Sequence, residues 1–336
     1  MAFKDVPRGL CHRSSHDMEI LLQWDETPEV ERTREAGERP INWPEVVHGA
    51  ARLAGAKSIR KVSFRSLMRR QPVAFFWAPS WIAFVASFLV PCVILTWGVT
   101  RRSGLGRRIA YWRWRTILRR ATVVLANDKV TVAKVASLGV QRCTIVPYYV
   151  DTDFYRATAQ TSKEFDVLVV GDNDRDEQTG AYLRTRGLRV ARVTSNPAVA
   201  LRLRSADPTL TVFEKVSFPA LRNLYANTRI VALPLLSTVT HAAGQTALLE
   251  SLAMGVPVVI TEGPTASTFR DLEGVFVTPA GDPAGFEAAV RRAILASCST
   301  DPVQIRRQVE QTHSPAASRV VLARAFVDAT TKIDRR

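Results

Sequence analysis

The chain has few of the residues that build covalent or metal staples. Its four cysteines, Cys11, Cys92, Cys143 and Cys298, lie far apart and form no CxxC pair. That excludes a disulfide framework and a cysteine-ligated zinc site, and it favours a reducing compartment. The five histidines make no HxxxH or other metal-spaced cluster, so no metal is expected. The opening stretch MAFKDVPRGLCHRSS lacks the apolar core of a signal peptide, from which a cytoplasmic location is expected. A glycine-rich turn after a first strand is also missing from residues 1–71.

Acid is scarce in one place above all. Residues 101–120, RRSGLGRRIAYWRWRTILRR, carry Arg101, Arg102, Arg107, Arg108, Arg113, Arg115, Arg119 and Arg120 with no Asp or Glu. Tyr111, Trp112 and Trp114 lie between them. Arginines interleaved with tryptophans suit the headgroup layer of an anionic membrane, where ring bodies go apolar and cations meet phosphate. On that reading Arg107, Arg108, Trp112, Arg113, Trp114 and Arg115 face the membrane and the protein sits peripherally at its inner face. Nucleic acid is a less favoured partner for the same composition. A solvated helix with a few buried aromatics is the main alternative, ahead of nucleic acid.

What is present is a globular composition. The 336 residues suit two domains, each large enough for a core. Hydrophobic residues make up 46%, too many for a disordered chain. The net charge of +15 calls for an anionic partner.

Residues 72–99 hold no charge at all. The run is long enough to span a bilayer, but Pro79 and Pro91 divide it into Val73–Trp77, Ser80–Leu89 and Cys92–Trp97. Strand, helix, strand is the favoured reading, with a membrane span as the alternative. Met18 to Trp24 reads as a first strand, and Val46 to Ala54 as a helix. ATVVLAND (121–128) reads as a strand, Lys129 to Leu138 as a helix closed by Gly139, and Cys143 to Val146 as a strand. PYYVDTDFY (147–155) and the polar RATAQTSKE (156–164) then lead out of a first domain. Asp151 and Asp153 are read as turn and cap residues rather than a metal pair.

A second run of alternating elements follows. Phe165–Val170, Arg189–Thr194, Thr209–Lys215 and Arg229–Leu235 read as strands, and Ser217 caps the helix PALRNLYANT. Such alternation with short links means a parallel, doubly wound sheet. Arg175 stands in the loop after the first of these strands, where such sheets bind ligands. The alternative for it is a surface pair with Asp176.

His241 to Ile260, HAAGQTALLESLAMGVPVVI, carries the densest signal. Gln245 to Met254 read as a short helix stopped by Gly255 and Pro257. Val256 to Ile260 suit a buried parallel strand. Gly244, Gln245 and Thr246 fall in the first helical turn, where free amides and the helix dipole favour a phosphate. Glu250 follows Thr246 by four residues and shares its face. Its carboxylate is able to accept two hydrogen bonds from a diol such as a ribose. Phosphate at the tip and ribose one turn down is the footprint of a nucleotide diphosphate; a Glu250 facing water is the bland alternative.

GQTALLESLAMGVPVV resembles the nucleotide-sugar segment of family 4 retaining glycosyltransferases. The resemblance implies α/β architecture with two Rossmann-like domains facing across a cleft, the GT-B fold, the amino-terminal one divergent. It implies domains at 1–155 and 165–315, with a terminal helix in 316–336 returning to the first. It implies transfer of a sugar from a nucleotide-diphosphate sugar to an acceptor with retention, and no cofactor beyond that co-substrate. Donor-binding residues are then Arg175, Gly244, Gln245, Thr246 and Glu250, with His241 on the sugar side. No residue stands out as a general base. Two family residues differ: a second glutamate eight residues before Glu250 is Ala242, and a histidine after the strand ending at Trp97 is absent. A catalytically inactive relative, binding a nucleotide or serving as a membrane-associated scaffold, is the alternative these departures favour.

Overall fold

The computed structural model describes residues 18–23, 28–68, 72–77, 80–97, 105–157, 162–297 and 300–331, with 28–31 and 105–107 described by backbone alone. Cys11, Trp24, Pro79, Gly98, Arg101, Arg102, Cys298, the Arg107 side chain and residues 158–161 of the expected linker lie outside the described residues. The chain divides into two compact units.

The first unit takes its described residues from 18–30, 41–147 and 316–331. Its elements run β1 (Glu19–Leu22), α1 (Pro28–Glu35, shared with the second unit), α2 (Trp43–Leu53), β2 (Ser58–Lys61), α3 (Phe64–Leu67), β3 (Val73–Phe76), α4 (Trp81–Leu89), β4 (Cys92–Thr96), α5 (Leu105–Arg120), β5 (Val123–Ala126), α6 (Lys129–Ser137) and β6 (Cys143–Ile145). All strand pairs are parallel, in the order β2-β1-β3-β4-β5-β6. The uncharged run is therefore a βαβ unit, with Ala74, Phe75 and Phe76 registered against Cys92, Val93 and Ile94. Among the described residues no helix is long and apolar enough to cross a membrane. Short chain lengths decide this: Ser80 caps α4 through the Ala83 amide, and the helix ends after nine residues.

Residues 105–120 form one helix, α5. Trp114, Ile117 and Leu118 point into the core while Arg108, Trp112, Arg115 and Arg119 are exposed. This corrects the expectation that Trp114 faces a membrane: it is only 6% exposed. The 100° step per residue places it about 160° around the helix from Trp112, on the sheet side.

The second unit takes its described residues from 31–40 and 148–315. After the amino-terminal segment it contains β7 (Phe165–Val170), α7 (Glu177–Thr185), β8 (Val190–Thr194), α8 (Pro197–Ala206), β9 (Thr211–Glu214), α9 (Phe218–Ala226), β10 (Thr228–Leu233), α10 (Gln245–Ala253), β11 (Val258–Thr261), α11 (Pro264–Phe269), β12 (Val275–Thr278), α12 (Pro283–Ala296) and α13 (Pro302–Thr312). Its sheet is again wholly parallel, ordered β12-β11-β10-β7-β8-β9. The order reverses between β7 and β10, and such a switch point opens a crevice at the carboxyl ends of the strands. The two loops leaving those ends are 171–176 and 234–244. A final helix, α14 (Pro315–Thr331), belongs from Ala316 onward to the first unit, where Phe326 packs 5.8 Å from Phe75, centroid to centroid.

Candidate functional site

The loop after β7 is built around one buried cation. Arg175 is 8% exposed. Its Nε and Nη2 donate to the Val170 carbonyl at 2.8 and 2.6 Å, and Nη1 donates to the Asn173 carbonyl at 2.9 Å. Three of five guanidinium N–H groups are thus committed to backbone, and two remain. Burial, and then the neighbouring Arg192 charge, lower its pKa to about 10, so it stays cationic at neutral pH. Gly171 makes room for it: a Cβ there would come within 2.4 Å of Nη2, at a φ of +104° that disfavours any side chain. Asp176 does not pair with Arg175 but caps α7, accepting from the Gln178 and Thr179 amides.

The loop after β10 is tied to the first loop by backbone. Asp176 donates its amide to the Pro234 carbonyl, and Leu236 donates to the Asp174 carbonyl. Thr261 Oγ1 accepts from the Leu235 amide and donates to its carbonyl, while Thr265 Oγ1 donates to the Ala243 carbonyl at 2.6 Å. These bonds hold Gly244 as the N-cap of α10, left-handed at φ 82°. A Cβ on Gly244 would lie 3.6 Å from Arg175 Nη2, which places the guanidinium beside the start of the helix.

No side chain caps α10. Gln245, the first helical residue, is 5% exposed, and its Nε2 has no hydrogen-bond partner. A buried amide donor without an acceptor costs free energy, about 1–3 kcal/mol. Uncapped helix amides, an adjacent cation and an orphaned donor together make a cradle for an anion.

One turn further, Glu250 is 6% exposed and its carboxylate is already hydrogen-bonded. Tyr155 Oη donates to Oε1 at 2.6 Å and Tyr225 Oη donates to Oε2 at 2.8 Å. Burial raises its pKa to about 7, against the pull of the two phenols. The two hydrogen bonds that a diol would donate are thus made by tyrosines, although each carboxylate oxygen keeps a further lone pair. Thr246 is exposed, and its Oγ1 lies 2.9 Å from Tyr148 Oη. So the segment 148–155 runs along the Thr246–Glu250 face of α10. Arg306 of α13 fixes it, donating to the carbonyls of Thr152, Tyr155 and Ala253. Asp151 Oδ1 accepts from the Asp153 and Phe154 amides as a turn cap.

His241 is exposed and pairs with Asp174, Nε2 to Oδ2 at 3.2 Å, so it does not join the Arg175–Gly244 cluster. Ala242 adds no polar group to it. In the first unit Trp97 sits in a ring cluster, 5.9 Å from Trp43 and 5.6 Å from Trp77.

Tyr148, Tyr155, Tyr225 and Arg306 were not anticipated. The first two lie seven residues apart in an irregular segment, and spacing says nothing about contacts there. One signal was available: a glutamate on a helix as apolar as 245–253 becomes buried and then requires hydroxyl or amide donors.

Residues 152–295 match the family of group 1 glycosyl transferases. No curated protein matches the sequence. A glycosyltransferase from Rickettsia africae has a similar structure, with TM-score 0.66 and 11% identity over 93% of this chain and 90% of that one. So does the Anabaena protein HepE, solved in complex with UDP-glucose (TM-score 0.64, 13% identity, 91% and 98% coverage). Sucrose-phosphate synthase from Thermosynechococcus elongatus is more distant, at TM-score 0.52 and 13% identity over 88% and 79%. The fold is GT-B.

Proposed function

We propose that this chain transfers a sugar from a nucleotide-diphosphate sugar to an acceptor, with retention at the anomeric carbon, a reading supported by the match of residues 152–295 to the group 1 glycosyl transferases. The observation that carries the reading is the anion cradle at the start of α10, where the Arg175 guanidinium, the uncapped first turn and the Gln245 amide converge. UDP-glucose in HepE, a structure of the same fold, supports a nucleotide sugar as the occupant.

In this proposal the diphosphate rests on the amides of Gly244, Gln245 and Thr246. The Arg175 charge and the helix dipole oppose the negative charge that grows on the diphosphate as it leaves. Both are fixed in advance, so little reorganisation is needed. Glu250 receives the ribose hydroxyls on its free lone pairs and orients the donor, a binding role. Its two tyrosines hold the carboxylate in one rotamer. His241 supplies a sugar-side contact from the loop before the helix. The acceptor is left unassigned.

A second reading has its own observations. With both Glu250 oxygens engaged by phenols, Ala242 in place of an acid and Trp97 enclosed by rings, the chain would be an inactive relative that serves as a nucleotide-binding or membrane-associated scaffold. Calorimetry with a panel of nucleoside diphosphates and their sugars, paired with an assay for release of the sugar, separates the two, since binding without release is what the inactive relative predicts. Micromolar binding of one nucleotide, and hydrolysis or transfer of its sugar, is expected. A folded protein that binds none of them defeats the transferase proposal.

A further inference from the structure

The net charge of this chain comes from one stretch. From Val46 to Asn127 the sequence has no Asp or Glu over 82 consecutive residues, and it holds 15 Lys and Arg. The remaining 31 cations and 31 acids balance, so the whole net charge of +15 belongs to that stretch. It lies in the first unit, away in sequence from the donor cradle.

The same stretch carries a helix that has no polar face. α4, WIAFVASFL, buries Ala83, Ala86 and Ser87 toward the sheet. Its opposite side shows Trp81 at 61%, Phe88 at 50% and Leu89 at 53% exposure, with Phe84 half-buried between them. A helix apolar all round needs an apolar environment on both sides. Neighbouring α5 extends the surface with Ile109 and Trp112, both about half exposed, and Trp112 packs 5.7 Å from Phe84. α3, which adjoins α4, adds exposed Phe64 and Met68.

Arginines frame this surface. Arg113 lies over the Trp81 ring at 4.7 Å and Arg120 over Phe88 at 3.9 Å. Arg108, Arg115 and Arg119, at steps of seven and four, form an exposed row along the far edge of the Trp112 stripe.

We propose that the α4–α5 face, with α3 at its margin, docks this chain on an anionic lipid bilayer. Trp81, Phe88, Leu89, Ile109 and Trp112 enter the headgroup boundary, and the arginine row meets lipid phosphates. Charge complementarity selects the occupant. A second copy would bring two arginine rows together with no acid in the stretch to offset them, which is repulsive. Nucleic acid would use the arginines but has little use for so much exposed aliphatic and aromatic surface. A bilayer interface uses both, each arginine near the surface adding to the attraction.

The test is co-sedimentation of the full chain with phosphatidylcholine vesicles, with and without phosphatidylglycerol. Three variants at exposed positions are compared: Trp81→Ser with Trp112→Ser, Arg108→Glu with Arg115→Glu, and Leu295→Ser in the second unit as a control. Binding to the phosphatidylglycerol vesicles alone, weakened at least tenfold by either double variant and unchanged by the control, supports the proposal. Acyl-chain brominated lipid should quench tryptophan emission of the parent chain and not of the tryptophan double variant. No binding to anionic vesicles overturns it, as does equal binding by the arginine variant. Self-association that the tryptophan variant abolishes would assign the face to a second copy instead. Binding of duplex DNA as tight as vesicle binding would assign it to nucleic acid.

Discussion

Tyr155 donates its phenolic hydrogen to Glu250 Oε1 at 2.6 Å across 95 residues of sequence. It joins the entry segment of the second unit to α10, and Tyr225 completes the arrangement from α9. Both phenols are pushed well above the ordinary tyrosine range, by burial first and then by the Glu250 charge, so they remain donors at any working pH. Tyr155→Phe leaves a buried carboxylate with one hydrogen bond fewer. It should cost about 1–3 kcal/mol in urea unfolding. Nucleotide affinity should fall alongside, since the carboxylate is then free to rotate away from the ribose.

The same carboxylate gives stability a pH dependence of unusual sign. Glu250 titrates at about 7 when folded, against an ordinary value of 4.5. Between those values the unfolded chain gives up this proton while the folded chain keeps it. The folded state therefore binds more protons, and stability falls as pH rises, by about 3 kcal/mol once pH exceeds 7. Glu250→Gln should remove that fall, so the variant gains on the parent from pH 5 to pH 8 in paired unfolding curves. Nucleotide binding should move the other way. A ribose needs the ionised acceptor, and affinity of the parent should rise about tenfold between pH 6 and pH 8.

The parallel sheets were legible because apolar runs and polar links alternate plainly from Phe165 to Thr278. The cradle was legible because Gly244 and Gly255 bracket one short apolar helix. α8 and α13 were passed over although each announces itself, with Asn196 before Pro197 and Asp301 before Pro302. Their apolar stripes are thin, and periodicity alone did not raise them. The direction of Trp114 could be read only with a helical register for α5, which its all-round arginines obscured. The tyrosine partners of Glu250 depend on tertiary contacts 25 and 95 residues away, and no local pattern encodes those.

Gln245 separates a ligand role from a structural one. Its Nε2 is buried without an acceptor, so replacing the amide by an apolar group of like size removes a penalty. Gln245→Leu should leave thermal stability unchanged or raise it by about 1 kcal/mol. The nucleotide should nevertheless bind about tenfold more weakly, the loss of one hydrogen bond to a charged group. A variant that keeps full affinity would show that the amide does not meet the ligand.

Gly171 tests whether the position of Arg175, rather than its charge alone, makes the cradle. An alanine Cβ there would meet Nη2 at 2.4 Å and Cζ at 3.1 Å, and the backbone would be strained at φ +104°. A long side chain usually swings away from such a clash. This one is held by three hydrogen bonds to the Val170 and Asn173 carbonyls, and moving it would strip buried acceptors. Gly171→Ala should therefore cost roughly 2–4 kcal/mol, the sum of backbone strain and lost hydrogen bonds. Arg175→Lys keeps the charge and relieves no backbone strain, but a lysine cannot span both carbonyls with a planar fork. It should lose stability by a smaller amount, about 1–2 kcal/mol, and lose nucleotide affinity as fully as Gly171→Ala. If the lysine variant binds like the parent, charge near Gly244 suffices and the fork serves the fold; if both variants fail to bind while folded at low temperature, the placement of the guanidinium is what the ligand requires.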